Sequence, residues 1–372
     1  MICCIFNYAP LYRTSIFRKI DDGFDVRFHF GREVPGRRGI AKLDYGIFRH
    51  PPVEFSSVNP FGKFPWYCGI QHLAFSRKYK VFLITGEFNW AYLPFLFFCR
   101  ITGKKVFAWG HGLKEVGKYA ALKKFFYDSL EGYFIYGQRG LERMVELGFP
   151  REKFHQVANS LCGRDELCVS PGSLASDVYQ GHFGNADPVL IFSGRLTRVK
   201  RLDLFVEALH LLSCSGSRFN AVLVGDGECR GELEALVREK GLAERVWFYG
   251  ECYDESRLAE LLYNADLCLS PGNVGLTAVH SMRYGTPVAT NNDFESQMPE
   301  YETVVPGRTG VLFAKDDPAS IAVAVSGWFS KGPDREAVRV ECLRMVSEKW
   351  NSDAQMDVFR KVLSPVVESF GK

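Results

Sequence analysis

The sequence predicts an α/β chain built from two doubly wound, Rossmann-like domains, and three observations carry that prediction. Its 372 residues are more than one domain of ordinary size holds. Short apolar runs alternate with helix-capable segments along most of the chain, which is the rhythm of a parallel sheet covered by helices. That rhythm fades once, between about residues 155 and 187, into Ser, Gly, Asp and Asn, and then restarts. With 47% hydrophobic and 24% charged residues, the composition supports large cores and excludes disordered, collagen-like and coiled-coil chains.

In the first half the predicted strands are residues 2–6, 24–30, 81–85, 106–109 and 133–136, with a helix-like segment at 11–20. The second half restarts with a strand at 189–192 and a helix in which Phe205, Ala208, Leu209 and Leu212 share one face. A strand at 221–224 ends at Gly225-Asp226-Gly227. The helix at 232–240 follows, with Glu234 and Arg238 expected to pair at i, i+4 and Gly241 as its stop. Strands at 246–249, 267–269 and 287–290 and helices near 255–263 and 276–284 complete the second domain, and 318–330 and 334–362 are further helices. The expected organisation is an N-terminal domain over 1–160, a linker over 161–187, a C-terminal domain over 188–345 and a helical tail over 346–372 packing back towards the N-terminal domain. Ser170-Pro171-Gly172-Ser173 and residues 181–187 mark the linker.

The formal charge of +3 is too small to call for nucleic acid, and no nucleic-acid partner is expected. It hides an asymmetry, with 24 Lys and Arg against 13 Asp and Glu in residues 1–155, and 22 against 30 in the rest. A basic half favours an anionic ligand or surface, such as phospholipid headgroups or a lipid-linked diphosphate. Eleven cysteines, several of them inside apolar runs, fit a reduced cytosol. Cys162 and Cys168 have no partner pair, so no metal is expected. The opening Met-Ile-Cys-Cys-Ile-Phe lacks a basic lead and reads as a first strand rather than a signal peptide. Residues 90–99 are too short to span a bilayer and contain Pro94. Followed by Arg100, Lys104 and Lys105, they read either as a buried helix or as an amphipathic surface facing an anionic membrane.

In open parallel sheets ligands bind beyond the carboxyl ends of the strands, so the turns there are where chemistry is sought. Ser193-Gly194-Arg195 follows a strand, with Lys200 five residues on; a planar fork and a point charge beside a flexible Gly suit a diphosphate. The turn from Ser270 through Gly272, Asn273, Gly275, Leu276 and Thr277 to His280 leads from a strand into a helix, and its exposed amides suit an anion. Neither a Walker lysine nor a full dinucleotide glycine pattern is present.

Ser193-Gly194-Arg195-Leu196 with Lys200, Leu223-Val224-Gly225-Asp226-Gly227, Ala265-Asp266, Gly285-Thr286-Pro287-Val288 and Gly307-Arg308-Thr309-Gly310 stand in an order and spacing that resembles the nucleotide-sugar half of GT-B fold glycosyltransferases of family 4, the group 1 glycosyltransferases. The resemblance is strong over about residues 188–320. It implies two Rossmann-like domains facing a central cleft, an NDP-sugar donor held mainly by the C-terminal domain, an acceptor held by the N-terminal one, and metal-independent transfer with retained configuration. The family carries two Glu residues flanking the Gly-rich turn, the first touching the donor sugar and the second the ribose hydroxyls. Here the matching positions are Gly272 and His280. The reading is that His280 holds one ribose hydroxyl and Asn273 takes the sugar contact through its amide, the alternative for His280 being a satisfied histidine on a helix face.

In the first half, Trp109-Gly110-His111-Gly112 sets His111 on a loop at a strand end between two glycines, which resembles the family's histidine or acidic residue near the reacting sugar. Tyr12 and Arg13 after the first strand, and Gly86-Glu87-Phe88-Asn89-Trp90 after another, offer polar groups beside aromatics for an acceptor or else packing. Asn159 resembles the family's residue before the second domain and is expected to fix the linker.

The expected protein is therefore a cytoplasmic enzyme, either free or at the inner face of the membrane. It transfers a sugar from an NDP-sugar donor to a saccharide or lipid-linked acceptor in cell-surface polysaccharide or glycan biosynthesis. Arg195, Lys200 and the amides of Gly275 to Thr277 hold the leaving diphosphate, His111 acts at the reacting centre, and no cofactor or metal takes part. The alternatives are a GT-B fold sugar-nucleotide epimerase and a catalytically inactive nucleotide-sugar or saccharide-binding module.

Overall fold

The computed structural model describes residues 1–32, 41–58, 65–164 and 174–370; Cys168 and the Ser170–Ser173 stretch lie outside the described residues. The chain divides into two compact units, one formed by Met1–Gly163 with Asn351–Lys372 and the other by Arg164–Trp350.

The first unit is a seven-stranded parallel sheet. Its strands are β1 (Ile2–Phe6), β2 (Val26–Gly31), β3 (Val53–Phe55), β6 (Val81–Thr85), β7 (Lys105–Gly110), β8 (Gly132–Tyr136) and β9 (Phe154–Val157), in the order β3-β2-β1-β6-β7-β8-β9. A separate small hairpin pairs β4 (Ser57–Val58) with β5 (Trp66–Tyr67). Strands β1, β6 and β8 are apolar nearly throughout because helices cover both faces. On one face, α1 (Thr14–Gly23) and α12 (Ser352–Glu368) enclose Phe17, Phe28, Trp109 and Phe359. On the other, α2 (Tyr92–Ile101), α3 (Ala120–Asp128) and α4 (Gln138–Glu146) enclose Phe82, Phe95, Phe126 and Ile135. Helix α12 is bound to α1 by Lys19 to Asp353 at 2.6 Å and by Ser15 to Ser352 at 2.7 Å.

The second unit is a six-stranded parallel sheet of β10 (Val189–Ser193), β11 (Asn220–Val224), β12 (Val246–Gly250), β13 (Leu267–Ser270), β14 (Val288–Asn291) and β15 (Gly310–Phe313), ordered β12-β11-β10-β13-β14-β15. Its helices are α5 (Val178–Phe183), α6 (Leu202–Cys214), α7 (Arg230–Glu239), α8 (Glu255–Asn264), α9 (Thr277–Met282), α10 (Pro318–Ser330) and α11 (Arg335–Glu348). Asp254, Asp317 and Asp334 cap α8, α10 and α11 by accepting from amides two or three residues on. No helix among the described residues is long and apolar enough to cross a membrane.

Three sequence expectations change. Glu234 pairs with Arg230 at 2.8 Å and not with Arg238, because Arg230 is already anchored to Asp226 at 3.3 Å and presents its Nε to the next turn. The helix expected over 334–362 is two helices, since Asn351 accepts from the amides of Asp353 and Ala354 and so starts α12 afresh. The tail joining the first unit accordingly begins at Asn351 rather than at 346.

Candidate functional site

In each sheet the strand order reverses beside the first strand of the unit, the place where open parallel sheets in general bind ligands beyond the carboxyl ends of their strands. In the second unit this point lies between β10 and β13. The Gly194 amide donates to Val224 O at 2.9 Å and the Leu196 amide to Asp226 O at 2.9 Å, so the turn after β10 lies flat on the turn after β11. Gly225 allows this, since a Cβ there would stand 2.0 Å from Gly194 O and its φ is +136°. Thr277 Oγ1, at the start of α9, donates to Ser193 O at 3.0 Å and ties the third turn to the first.

A tight turn over Arg198–Lys200 then folds the chain back. Arg201 takes a left-handed φ of +47°, held by Asp203 at 2.8 Å and by Asp316. The turn docks on the loop after β13, with the Gly272 amide on Lys200 O at 3.0 Å and the Asn273 amide on Val199 O at 3.3 Å. A Cβ on residue 272 would lie 2.1 Å from Val199 O, so the position that matches the family's first Glu is occupied by backbone.

Lys200 Nζ reaches across to donate to Asn273 O at 2.6 Å. Burial pushes its pKa down to about 8; the attraction of Glu300 opposes this and the nearby charge of Arg195 adds to it. Arg195 itself is exposed. Among the described residues, the amides of Gly275, Leu276 and Thr277 donate to no protein acceptor. Beside Gly272 a cavity of about 220 Å³ is lined by Asn273, Asn291, Ser296 and Lys315. Asn273 Nδ2 makes a long 3.4 Å contact to Ser296 O.

His280 is engaged: its Nε2 lies 3.0 Å from Glu255 Oε1, an oxygen that also accepts from Arg283 at 3.0 Å and Tyr284 at 2.5 Å. Partial burial works against ionisation of Glu255, but the His280 and Tyr284 hydrogen bonds and the Arg283 charge outweigh it and hold its pKa at about 2. Sequence reasoning missed Glu255, whose signal was the Asp254 cap opening a helix after a strand end. It also missed Asn291 and Gln297. Asn291 binds the carbonyls of Pro271 and Gly272, at 2.8 and 3.0 Å, and Gln297 binds the Val274 amide at 2.9 Å; together they fix the loop.

In the first unit the reversal lies between β1 and β6. The turns after β1, β6 and β7 bring Tyr12, Arg13, Glu87 and His111 around a cavity of about 80 Å³. Gly110 and Gly112 flank His111, and both leave room for neighbouring protein rather than for substrate: Cβ atoms there would meet Tyr133 Oη at 2.9 Å and Ile135 Cδ1 at 2.9 Å. The His111 ring packs 4.9 Å from that of Tyr136. Tyr136 Oη accepts from Arg13 Nη2 at 2.9 Å, and the Arg13 guanidinium lies 4.5 Å over the Trp109 ring. Of the turn after β6, Glu87 alone lines this cavity. Asn89 accepts from the Ala91 amide at 2.8 Å in the turn that precedes α2, and Phe88 and Trp90 pack edge-on at 6.0 Å. Asn159 is buried and accepts from the Ser160 amide at 3.1 Å.

Residues 180–341 match the family described as glycosyl transferases group 1. A glycogen synthase of Thermus caldophilus is 35% identical over 170 residues, 44% of this chain and 37% of that one. A GDP-mannose-dependent alpha-(1-6)-phosphatidylinositol dimannoside mannosyltransferase of Mycobacterium tuberculosis is 30% identical over 209 residues, 54% of this chain and 51% of that one. The chain thus spans about half or less of these curated relatives. In fold it is similar to Anabaena HepE in complex with UDP, with a TM-score of 0.73 and 16% identity over 98% of this chain and 100% of that one. The galactosyltransferase WaaB is similar too, with a TM-score of 0.70 and 14% identity over 98% and 100%. Residues 180–341 are thus similar to the glycosyl transferases group 1 family, and the fold is that of the GT-B structures the chain resembles.

Proposed function

We propose that the protein is a glycosyltransferase that moves a sugar from an NDP-sugar to a saccharide or lipid-linked acceptor, with retention and without a metal, in cell-surface polysaccharide or glycan biosynthesis. The carrying observation is the assembly of three turns, 193–200, 225–227 and 272–277, which bear the cations Arg195 and Lys200 and the amides of Gly275, Leu276 and Thr277, amides that meet no protein acceptor among the described residues. Such a surface suits a diphosphate. In the proposed reaction Arg195, Lys200 and the amides of Gly275 to Thr277 stabilise charge growing on the leaving diphosphate. Asn273, beside the 220 Å³ cavity, donates to the donor sugar. The acceptor hydroxyl attacks the anomeric carbon, the bond from that carbon to the β-phosphate oxygen breaks, and the acceptor proton passes to that oxygen. His111, with Arg13 and Glu87 beside it, orients the sugar or acceptor.

The reading extends to contact with an anionic bilayer at the cytoplasmic face. Phe75, Phe97 and Ile101 are 57%, 52% and 66% exposed, and Phe98 joins the first two, its ring 5.0 Å from that of Phe75 and 5.8 Å from that of Phe97. Arg77, Lys78 and Arg100 stand near them in sequence. Two of the expected cations are otherwise engaged, Lys104 with the carbonyls of Ser76 and Tyr79, and Lys105 with Glu131.

The test is turnover of UDP- and GDP-sugars by the purified chain with saccharide and lipid-linked acceptors. Acceptor-dependent NDP release, lowered about 10²- to 10⁴-fold by His111→Ala with NDP affinity intact, supports the reading. Isomerisation of the donor without acceptor would make it an epimerase, and binding without turnover a binding module.

A further inference from the structure

The nucleotide-sugar reading leaves one group unassigned. The position matching the family's second Glu is His280, which has no carboxylate. A carboxylate is nevertheless there, delivered from another element. Asp254 accepts from the Ser256 amide at 2.9 Å and starts α8 at Glu255, in the connection that follows β12. This is the same end of the sheet as the turns after β10, β11 and β13.

Glu255 is not an ordinary surface acid. His280, Arg283 and Tyr284 all donate to one of its oxygens, Oε1. Among the described residues no donor is found for Oε2, and the side chain is 53% exposed. Three donors on one oxygen fix the carboxylate plane and leave the other oxygen facing solvent. Because a carboxylate held ionised can only accept, His280 must carry its proton on Nε2, so its ring serves Glu255. Tyr253, two residues earlier, is 81% exposed and offers a flat ring beside this oxygen's element. A fixed acidic oxygen two residues along the chain from an exposed aromatic matches a nucleoside, whose ribose presents two vicinal hydroxyl donors and whose base presents a flat face.

We propose that Glu255 receives the ribose hydroxyls of the nucleotide donor in place of a carboxylate at position 280, with His280 and Tyr284 as the positioning residues that hold it. The exchange also explains why position 280 is not acidic, since a Glu there would set a second carboxylate against Glu255. The proposal rests on the nucleotide-sugar reading above.

The experiment is calorimetric titration of the full chain with UDP, GDP and ADP, then with the 2′,3′-dideoxy form of whichever binds most tightly. Wild type should prefer the ribonucleotide at least about tenfold. Glu255→Gln should lose about tenfold for the ribonucleotide and almost nothing for the dideoxy form, with Glu255→Asp intermediate and thermal unfolding reporting that both variants fold. Equal losses for both nucleotides, or no loss, overturn the proposal. Should Glu255→Gln fail to fold, the same discrimination is read from Glu255→Asp and from Tyr284→Phe, which loosens the carboxylate without removing it; unchanged discrimination in both overturns the proposal. A wild type that binds none of the three diphosphates overturns the nucleotide-sugar reading itself.

Discussion

The Lys200 ammonium donates to the backbone carbonyl of Asn273 at 2.6 Å, so a half-buried cation is held by the very loop whose amides stand open beyond it. This contact costs Lys200 its hydration, and its pKa falls to about 8 from an ordinary 10.5, burial being the main cause. Two pH dependences of opposite sign follow. Between about 8 and 10.5 the unfolded chain binds more protons at this residue than the folded one, so stability gains a rising contribution as pH climbs through that window. Diphosphate binding should weaken over the same pH rise, because the cation is lost. UDP or GDP titration at pH 8.5 in buffers of different ionisation enthalpy should show proton uptake. Lys200→Met should abolish the uptake and lower affinity about 10- to 100-fold, as expected for one charge-assisted hydrogen bond. Uptake that persists in the variant would mean that another group titrates.

Gly272 stands where the family has an acidic residue, and the obvious experiment is to restore it. The structure predicts that Gly272→Glu does harm. Its Cβ would fall 2.1 Å from Val199 O and 2.8 Å from the Lys200 carbonyl carbon, both backbone atoms that cannot swing aside. Gly272→Ala should already cost about 1–3 kcal/mol, the usual range for overpacking, and Gly272→Glu at least as much, with no gain in activity. Chemical denaturation of both variants checks this. A Gly272→Ala protein as stable as wild type would show that the turn over 198–200 gives way easily.

These positions mark where the sequence stopped being legible. Strand and helix periodicity gave both parallel sheets, because helices on each face demand continuous apolar strands such as Ile2–Phe6 and Val189–Ser193. Motif order found the turns at 193–195, 225–227 and 272–280. What it did not give was partnership across elements. That Gly272 is filled by Val199, or that His280 meets Glu255 from a separate helix, depends on how two loops pack, and spacing along one chain carries no such information. The i, i+4 rule pointed to Glu234 with Arg238 and missed the equally spaced Arg230, because the deciding factor was the anchor at Asp226 after a strand end.

The last helix completes the core of the first unit. Phe359 has no exposed surface, and its ring lies 4.4 Å from Phe134 and 5.1 Å from Trp109, on the strand that ends at Gly110 just before His111. Phe359→Ala should therefore cost about 3–5 kcal/mol and shift the denaturation midpoint of the first unit. A loss below about 1 kcal/mol would mean that α12 contributes little to that core.

The membrane reading turns on side chains that α2 does not bury. Tyr92, Phe95, Leu96 and Cys99 face the core, whereas Phe97 and Ile101, one turn apart, stay in solvent. Insertion of such a face gains apolar burial, and the basic half of the chain adds attraction that salt screens. The full chain should sediment with vesicles rich in phosphatidylserine or phosphatidylglycerol at low salt and be released at high salt. Phe97→Ser with Ile101→Ser should weaken binding at least about tenfold while leaving turnover of a soluble acceptor unchanged, since neither residue lines the cavity at His111. No binding to anionic vesicles at low salt removes the bilayer from the account, and equal binding by the double variant would assign it to charge alone.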